Sequence, residues 1–319
     1  MSTGGQSYGK LVRLRALNPS QLPAHPDLES IQLAASALPL LETFITDVLN
    51  EASTFMTDYL PQNFAIKERS KTSPPAKATI QLLAHEISAQ HLGPNAQDEA
   101  WFARTSLHEN KKEPGTANWN EFEAGLLDDH SLHESQYTPD VFDAHKVLSW
   151  DSKLAEKQAK VGNWEKVGMS SESWSFLCKM QVANSSHIVV FEMAHHIPPP
   201  LDNRAFPVLV VTARSAGTDH PSFLVVQIPV DITKLDKALY STHKNKQAGD
   251  NSEKKKPVTL GQYVSIERCA MVENFDVKWQ MATASDAKGN LPMWAQKMGI
   301  PSAIIKDVGL FIDWNAKRR

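Results

Sequence analysis

The chain has 319 residues, 41% of them hydrophobic and 22% charged, with a formal net charge of −3. That length suits one large domain or two ordinary ones, and the balance is that of a globular protein. A charge this close to zero argues against nucleic acid as a partner, and no apolar run approaches the ~20 residues of a membrane-spanning helix.

Two cysteines, Cys178 and Cys269, lie in apolar runs and are too few for a disulfide framework, which points to reduced thiols. Met1–Lys10 is polar and glycine-rich, without the apolar stretch of a secretory leader. The expectation is a soluble, cytoplasmic monomer.

In chain order, the first element falls within residues 28–60. There Leu41, Phe44, Ile45, Val48, Leu49, Ala52, Phe55 and Met56 recur at helical spacing, with Pro39 at the start. Lys67–Lys77 is basic and proline-containing, a connector. Ile80–His91 is expected to form a short second helix, stopped by Gly93-Pro94. From Trp101 the rhythm becomes two, so Arg104, Ser106 and His108 share one face of a strand and Ala103, Thr105 and Leu107 the other. Alternation does not say which face is wet. Trp119–Leu132 has helical spacing, whereas residues 137–151 and 163–167 show no clean period.

Strands then follow densely: Ser173–Gln181, Ile188–His195, Pro207–Arg214, Phe223–Ile228, Gln262–Cys269 and Phe275–Thr283. Consecutive strands with no helix between them imply an antiparallel sheet. In the last, Phe275, Val277, Trp279 and Met281 alternate with Asp276, Lys278 and Gln280, one face buried and the other in water. The lysine-rich Tyr240–Pro257 reads as a mobile insertion, whose Lys254-Lys255-Lys256 run either keeps it solvated or makes transient contact with an anionic membrane. A long closing helix begins near the cap Asn290 and Pro292. It carries Trp294, Met298, Ile304, Ile305, Val308, Phe311 and Ile312 as an apolar stripe. Pro301 is expected to kink it or to divide it after Gly299.

Three segments carry a family resemblance. Leu201-Asp202-Asn203-Arg204-Ala205-Phe206 resembles the L-x-x-R-x-F turn of START (StAR-related lipid-transfer) domains. Gly261-Gln262-Tyr263-Val264-Ser265-Ile266-Glu267 is similar to their G-x-V-R-x-E strand, and Asp286-Ala287-Lys288-Gly289-Asn290-Leu291-Pro292 to the D-x-x-G-x-L-P run before the last helix. The resemblance covers Trp164–Trp314 and extends back to Trp101. The Trp-x-x-Arg-x-Ser-x-His strand from Trp101, the Gly115–Trp119 segment and the N-terminal extension are similar to a fungal branch of such proteins. It implies an α+β, helix-grip (START-like) fold: a curved antiparallel sheet wrapped around the closing helix, with a ligand cavity between them. Residues 1–90 would be a helical extension packed on a START-like domain at 91–319, with 240–257 inserted. Ser265 stands where the family motif has arginine, while Glu267 is kept, so no sterol or head-group preference carries over.

The resemblance implies a hydrophobic small-molecule ligand, such as a lipid, sterol or apolar metabolite; the pattern alone would give a solid core. Its expected wall is Trp279, Met281, Trp294 and Met298, with Trp174 and Phe176 opposite, and residues 235–257 as a gate. Glu192 shares a face with Ile188, Val190 and Ala194. As a buried carboxylate it either orients a ligand hydroxyl, serves as an acid or base, or makes a structural hydrogen bond. Arg204 either ties its turn to nearby carbonyls or anchors a ligand.

The alternative within the superfamily is a cyclase-type enzyme of secondary metabolism. Its first candidates are Glu192, Arg104, His108 and Glu267. No metal or cofactor is implied. His195 and His196 point to opposite faces of a strand, His130 and His133 fit a polar surface helix, and nucleophile-elbow and nucleotide fingerprints are absent.

Overall fold

The computed structural model describes residues 9–32, 37–93, 96–152, 160–165, 167, 188–216, 220–247, 249, 253–291 and 293–319. The expected strand Ser173–Gln181, with Trp174 and Phe176, lies outside these residues, as do Pro292 and the side chain of Trp294.

One sheet organises the chain. Its strands are β1 (Ala65–Lys71), β2 (Ile80–Ile87), β3 (Glu99–His108), β4 (Val141–Ser149), β5 (Trp164–Glu165), β6 (Ile188–His195), β7 (Asn203–Ser215), β8 (Ser222–Pro229), β9 (Val258–Leu260), β10 (Gln262–Met271) and β11 (Val277–Asp286). They run in the order β1-β2-β3-β11-β10-β8-β7-β6-β4, with β5 and β9 beside β7. Neighbours on that path pair antiparallel, as the run of strands without intervening helices requires. The β3–β11 pairing joins the early part of the chain to its end.

The sheet begins earlier than the sequence pattern indicated. The expected helix at Ile80–His91 is instead strand β2 followed by a single helical turn, Ala89–Leu92. A short apolar run such as Ile-Gln-Leu-Leu fits either period, and pairing with β3 decides it. Part of the connector at Lys67–Lys77 is the exposed edge strand β1, and residues 141–149, which showed no period, form the opposite edge. The expected helix from Trp119 breaks at Asp128: one turn at Trp119–Phe122 leads into a π-helical turn, Glu123–Leu127, and a separate helix spans His130–Tyr137. Asp129 makes the break in the left-handed region, at φ 45°.

Both faces of the sheet are covered. On one, the helix Leu41–Thr54 lays Phe44, Ile45, Val48, Leu49 and Ala52 against Leu209, Val211, Leu224, Val226, Val264 and Ile266. Glu51 on that helix accepts hydrogen bonds from the backbone N–H groups of Lys10, Leu11 and Val12 (2.8–3.1 Å), which folds the N-terminal segment onto the same layer. The second face of β11 is covered from Gln280 onward, where Gln280, Ala282 and Ala284 are buried, while Asp276 and Lys278 stay half-exposed. The alternating side does bury Val277, Trp279 and Met281, but Phe275 is 66% exposed in the preceding turn.

The other face receives the closing helix, Met293–Arg318, which continues through Pro301 without dividing. Proline removes one hydrogen bond, and the burial of Ile304, Val308, Phe311 and Ile312 holds the helix in spite of it. Gly309 allows this helix to approach the loop after β1. A Cβ there would come 2.6 Å from the Ser73 carbonyl oxygen, and the Gly309 N–H donates to Ser73 Oγ at 2.9 Å.

Candidate functional site

Between the closing helix and the sheet lies a cavity of about 230 Å³. Period-two alternation places Met193 and His195 of β6, Phe206 of β7, Gln227 of β8, Tyr263 of β10, and Met281, Thr283 and Ser285 of β11 on its sheet wall. The helix supplies Ile300, Ala303, Ile304, Asp307 and Leu310, the three-and-four spacing of a single face. Glu134 and Thr138 come from the short helix and the turn after it. Beyond the cavity the same interface is filled by rings. Phe311 lies 5.1 Å from Trp279, 5.2 Å from Phe122 and 5.7 Å from Tyr137 between ring centres.

A polar network lines one side. His130 Nδ1 lies 3.0 Å from the Leu126 carbonyl, so that nitrogen carries the proton, and Nε2 accepts from Gln227 Nε2 at 2.9 Å. Gln227 also donates to Glu134 Oε2 at 3.4 Å. Burial pushes the Glu134 carboxyl up to about 8, with Glu267 and Asp307 adding repulsion, and it lowers the basicity of His130. The 3.6 Å His130–Glu134 approach is thus a contact between neutral groups at pH 7, not an ion pair. Burial also lifts Asp307 to about 7, against the pull of Arg104 and with the push of Glu267. The Tyr263 hydroxyl is held well above its usual range by burial and by Glu134. His195 falls to about 4 by burial, and so is neutral. The cavity combines an apolar wall with two carboxyls of raised pKa, an amide, a phenol and the hydroxyls of Thr138, Thr283 and Ser285.

The expected site residues divide among three places. Met281 lines the cavity. Trp279 sits in the ring cluster beyond it, where its Nε1 donates to Glu267 Oε2 at 2.8 Å. Arg104 and His108 face the closing helix from β3 without lining the cavity. The Arg104 guanidinium stacks 3.8 Å over Trp279 and its nitrogens have no hydrogen-bond partner, while His108 Nε2 meets Ser106 Oγ at 2.8 Å. Burial and Arg104 lower His108 to about 3.

Glu192 lies on the opposite face of the sheet. Its carboxylate accepts from the N–H groups of Leu239 (2.6 Å), Tyr240 (3.1 Å) and Ser241 (2.6 Å), so it is placed as a structural anchor away from the cavity. The same bonds correct the expectation of a mobile 240–257 insertion for its described residues. Tyr240 and Asn245 are buried, and Asn245 Nδ2 donates to the carbonyls of Lys254 and Lys256. Residues 239–241, part of the expected gate, are held on that far face.

Arg204 is buried and donates to the carbonyls of Ala287 (2.6 Å), Lys288 (3.3 Å), Asp202 and Asn203, tying β7 to the turn before the closing helix. Met298 is 71% exposed, on the outer side of that helix rather than on the cavity wall.

Glu134, Gln227, Tyr263, Thr283 and Asp307 were not singled out from the sequence. Asp307 had a signal, since it interrupts the Ile300–Ile304–Phe311 face of an amphipathic helix. Tyr263 also had one, two residues before Ser265 in the resembling strand motif. Glu134 was hidden in a polar stretch whose burial only the tertiary fold creates. Among the described residues, no cluster of three or more His, Cys, Asp or Glu is arranged to hold a metal ion, and no helix is long and apolar enough to cross a membrane.

The architecture can be compared with known proteins. Human StAR-related lipid transfer protein 5 has a similar structure, with a TM-score of 0.50 and 8% identity over 87% of this chain and 99% of that one. Human STARD10 gives 0.46 and 10% identity over 89% and 84%. The lipid transfer and protein localization domain of human StarD13 gives 0.43 and 8% over 82% and 94%. No curated protein sequence matches the chain. The fold is START-like, a curved antiparallel sheet gripping a C-terminal helix. A family model described as a protein of unknown function, DUF3074, matches residues 101–315, and the chain belongs to that family.

Proposed function

We propose that this protein binds or transfers a hydrophobic small molecule, enclosed between the sheet and the closing helix. The observation that carries the proposal is the cavity itself. In an interface otherwise filled by rings, Met193, Phe206, Met281, Ile304 and Leu310 surround unfilled space beside a small polar cluster. That is the composition of a site which buries an apolar body and orients one polar end. Lipid transfer is what the name of StAR-related lipid transfer protein 5 describes. The buried thiol of Cys269 fits a chain acting as a monomer in the reducing cytoplasm, with membrane contact at most transient during transfer.

A catalytic alternative has one observation in its favour. A carboxyl raised to about 8, as at Glu134, is protonated at neutral pH inside an apolar cavity, the condition a general acid in a cyclase needs.

Mass spectrometry of molecules co-purifying with the native chain, compared with the variant Ala303→Trp, tests the binding proposal. Ala303 lines the cavity from an exposed position of the closing helix, next to the buried Ile304, so a larger side chain there alters the cavity's edge. A discrete apolar species present in the native chain and depleted in the variant supports it. Equal recovery from both, or none from either, overturns it.

A further inference from the structure

The polar wall of the cavity is unbalanced in charge. Among the described residues its ionisable side chains include three carboxyls, Glu134, Asp140 and Asp307, and one ammonium, Lys306. Asp140 and Lys306 are exposed at the rim, where water screens them, whereas Glu134 and Asp307 are half-buried on the cavity wall. Gln227 reaches Glu134, but Asp307 has no hydrogen bond or ion pair among the described residues. Glu267 adds a third negative influence on both, from behind. Arg104 pulls on Asp307, but its guanidinium lies on the Trp279 ring rather than on the wall. The two histidines, His130 and His195, are neutral.

A second feature is independent of the carboxyls. Phe206 lies on the same cavity with His195 at 5.4 Å and Tyr263 at 6.1 Å between ring centres. Ring faces attract cations, and an unbonded carboxyl wants a donor. Neither a ring face nor an ionised carboxyl offers anything to an anion, and once Glu134 and Asp307 ionise, a carboxylate or phosphate brought beside them is repelled at short range in a medium poorer than water.

We propose that the cavity takes an amphiphile whose polar end is a protonated amine, set against Glu134 and Asp307 and the Phe206–Tyr263 rings, and that it rejects carboxylate and phosphate head groups. The proposal rests on the small-molecule reading above and adds the chemical class. Binding of an ammonium favours the charged form of both carboxyls, so protons leave as the amine enters. Affinity for an amine should therefore rise with pH from about 6 to about 8.5, a range in which the amine stays charged. Affinity for a neutral alcohol of equal length should fall over that range, as the empty cavity ionises. The groups facing the pair are Glu267 and Arg104 from the sheet, Lys306 on the closing helix, Asp140 at the rim, and Tyr263, His130 and His195. The tyrosine titrates above that window and His195, at about 4, below it, while burial lowers His130 from its ordinary value.

The test is calorimetric titration of the full chain with dodecylamine, dodecanol and dodecanoate, the two ionic probes below their micellar concentrations and the alcohol below its solubility limit. At about pH 8 the amine should bind about tenfold tighter than the alcohol and about a hundredfold tighter than the carboxylate. The double variant E134Q/D307N should keep alcohol binding and reduce the amine preference to less than about threefold. Alcohol or carboxylate binding as tightly as the amine overturns the charge-class proposal while the small-molecule reading stands. Binding of none of the three overturns both. An amine affinity that is flat or falls between about pH 6 and about pH 8.5 overturns the charge-class proposal from the unmodified chain, whether or not the variant folds.

Discussion

The two faces of the sheet are built from the same strands and end differently. Toward the N-terminal helix, Ile45, Val48 and Leu49 meet Leu209, Val226 and Ile266 in a dry, aliphatic layer. Toward the closing helix the layer begins as stacked rings around Phe311 and then gives way to a cavity with two raised carboxyls. One face is built to hold the sheet together. The other gives up packing density where Glu134, Gln227, Tyr263 and Asp307 converge. Polar groups beside unfilled space forfeit contacts that an ordinary core would make.

The largest test of this contrast is a pair of truncations. Ile45→Ala in the dry layer should cost ~2–5 kcal/mol, because its neighbours cannot collapse onto the space. Met281→Ala on the cavity wall should cost less than about half as much, since one side of that methionine already lacks partners. Denaturant unfolding of both variants checks it, and equal losses would break the distinction between the faces.

Next in size is Glu192→Ala. It strands three backbone donors on the dry side, at a cost of ~2–4 kcal/mol, and frees the segment around Leu239–Ser241. Hydrogen exchange should show those amides losing protection while amine or alcohol binding is unchanged. Loss of ligand binding with exchange unaltered would give Glu192 the ligand role that its position opposes.

Smaller still is Arg104→Met. A buried guanidinium with no hydrogen-bond partner contributes little net stability, so the change should lie within about 1 kcal/mol of zero or stabilise. A loss of several kcal/mol would reveal a partner for that charge.

The pH dependence of unfolding is the subtlest. Glu134 and Asp307 have folded values, about 8 and about 7, above the ordinary 4.5 and 3.8. Their contribution is full below those ordinary values and is lost as pH rises through about 7 and 8. His195 and His108 run the other way, with folded values of about 4 and 3 against an ordinary 6.5. Their contribution is present above 6.5 and lost as pH falls toward 4 and 3. Between about pH 6.5 and 8.5 only the carboxyls act among these four, so the melting temperature should decline across that window. Glu134→Gln should flatten the decline; an unchanged slope would place the titration elsewhere.

Much of the closing-helix face could be read from one dimension. Alternation in β3 and β11 put Arg104, Ser106 and His108 on one side and Val277, Trp279 and Met281 on a buried one, because a strand's period of two is enforced residue by residue. The amphipathic stripe from Ile304 to Ile312 similarly fixed how the last helix would lie. The destination of Glu192 was not readable, since its three donors come from a segment about fifty positions away that docks only once the sheet exists. Nor was the strand at Ile80–Ile87, whose short apolar run takes its period from β3.

By itself, then, the sequence determined periodicity, and with it the antiparallel sheet, the closing helix and the side each alternating residue shares with its neighbours. These follow from local backbone geometry. Only the tertiary structure decided that both sides of the sheet are covered, that the space lies beside Met281 rather than Trp279, and that Glu134 and Asp307, 173 positions apart in the chain, face one cavity. Burial and charge proximity depend on which distant segments pack together, and no local pattern encodes that.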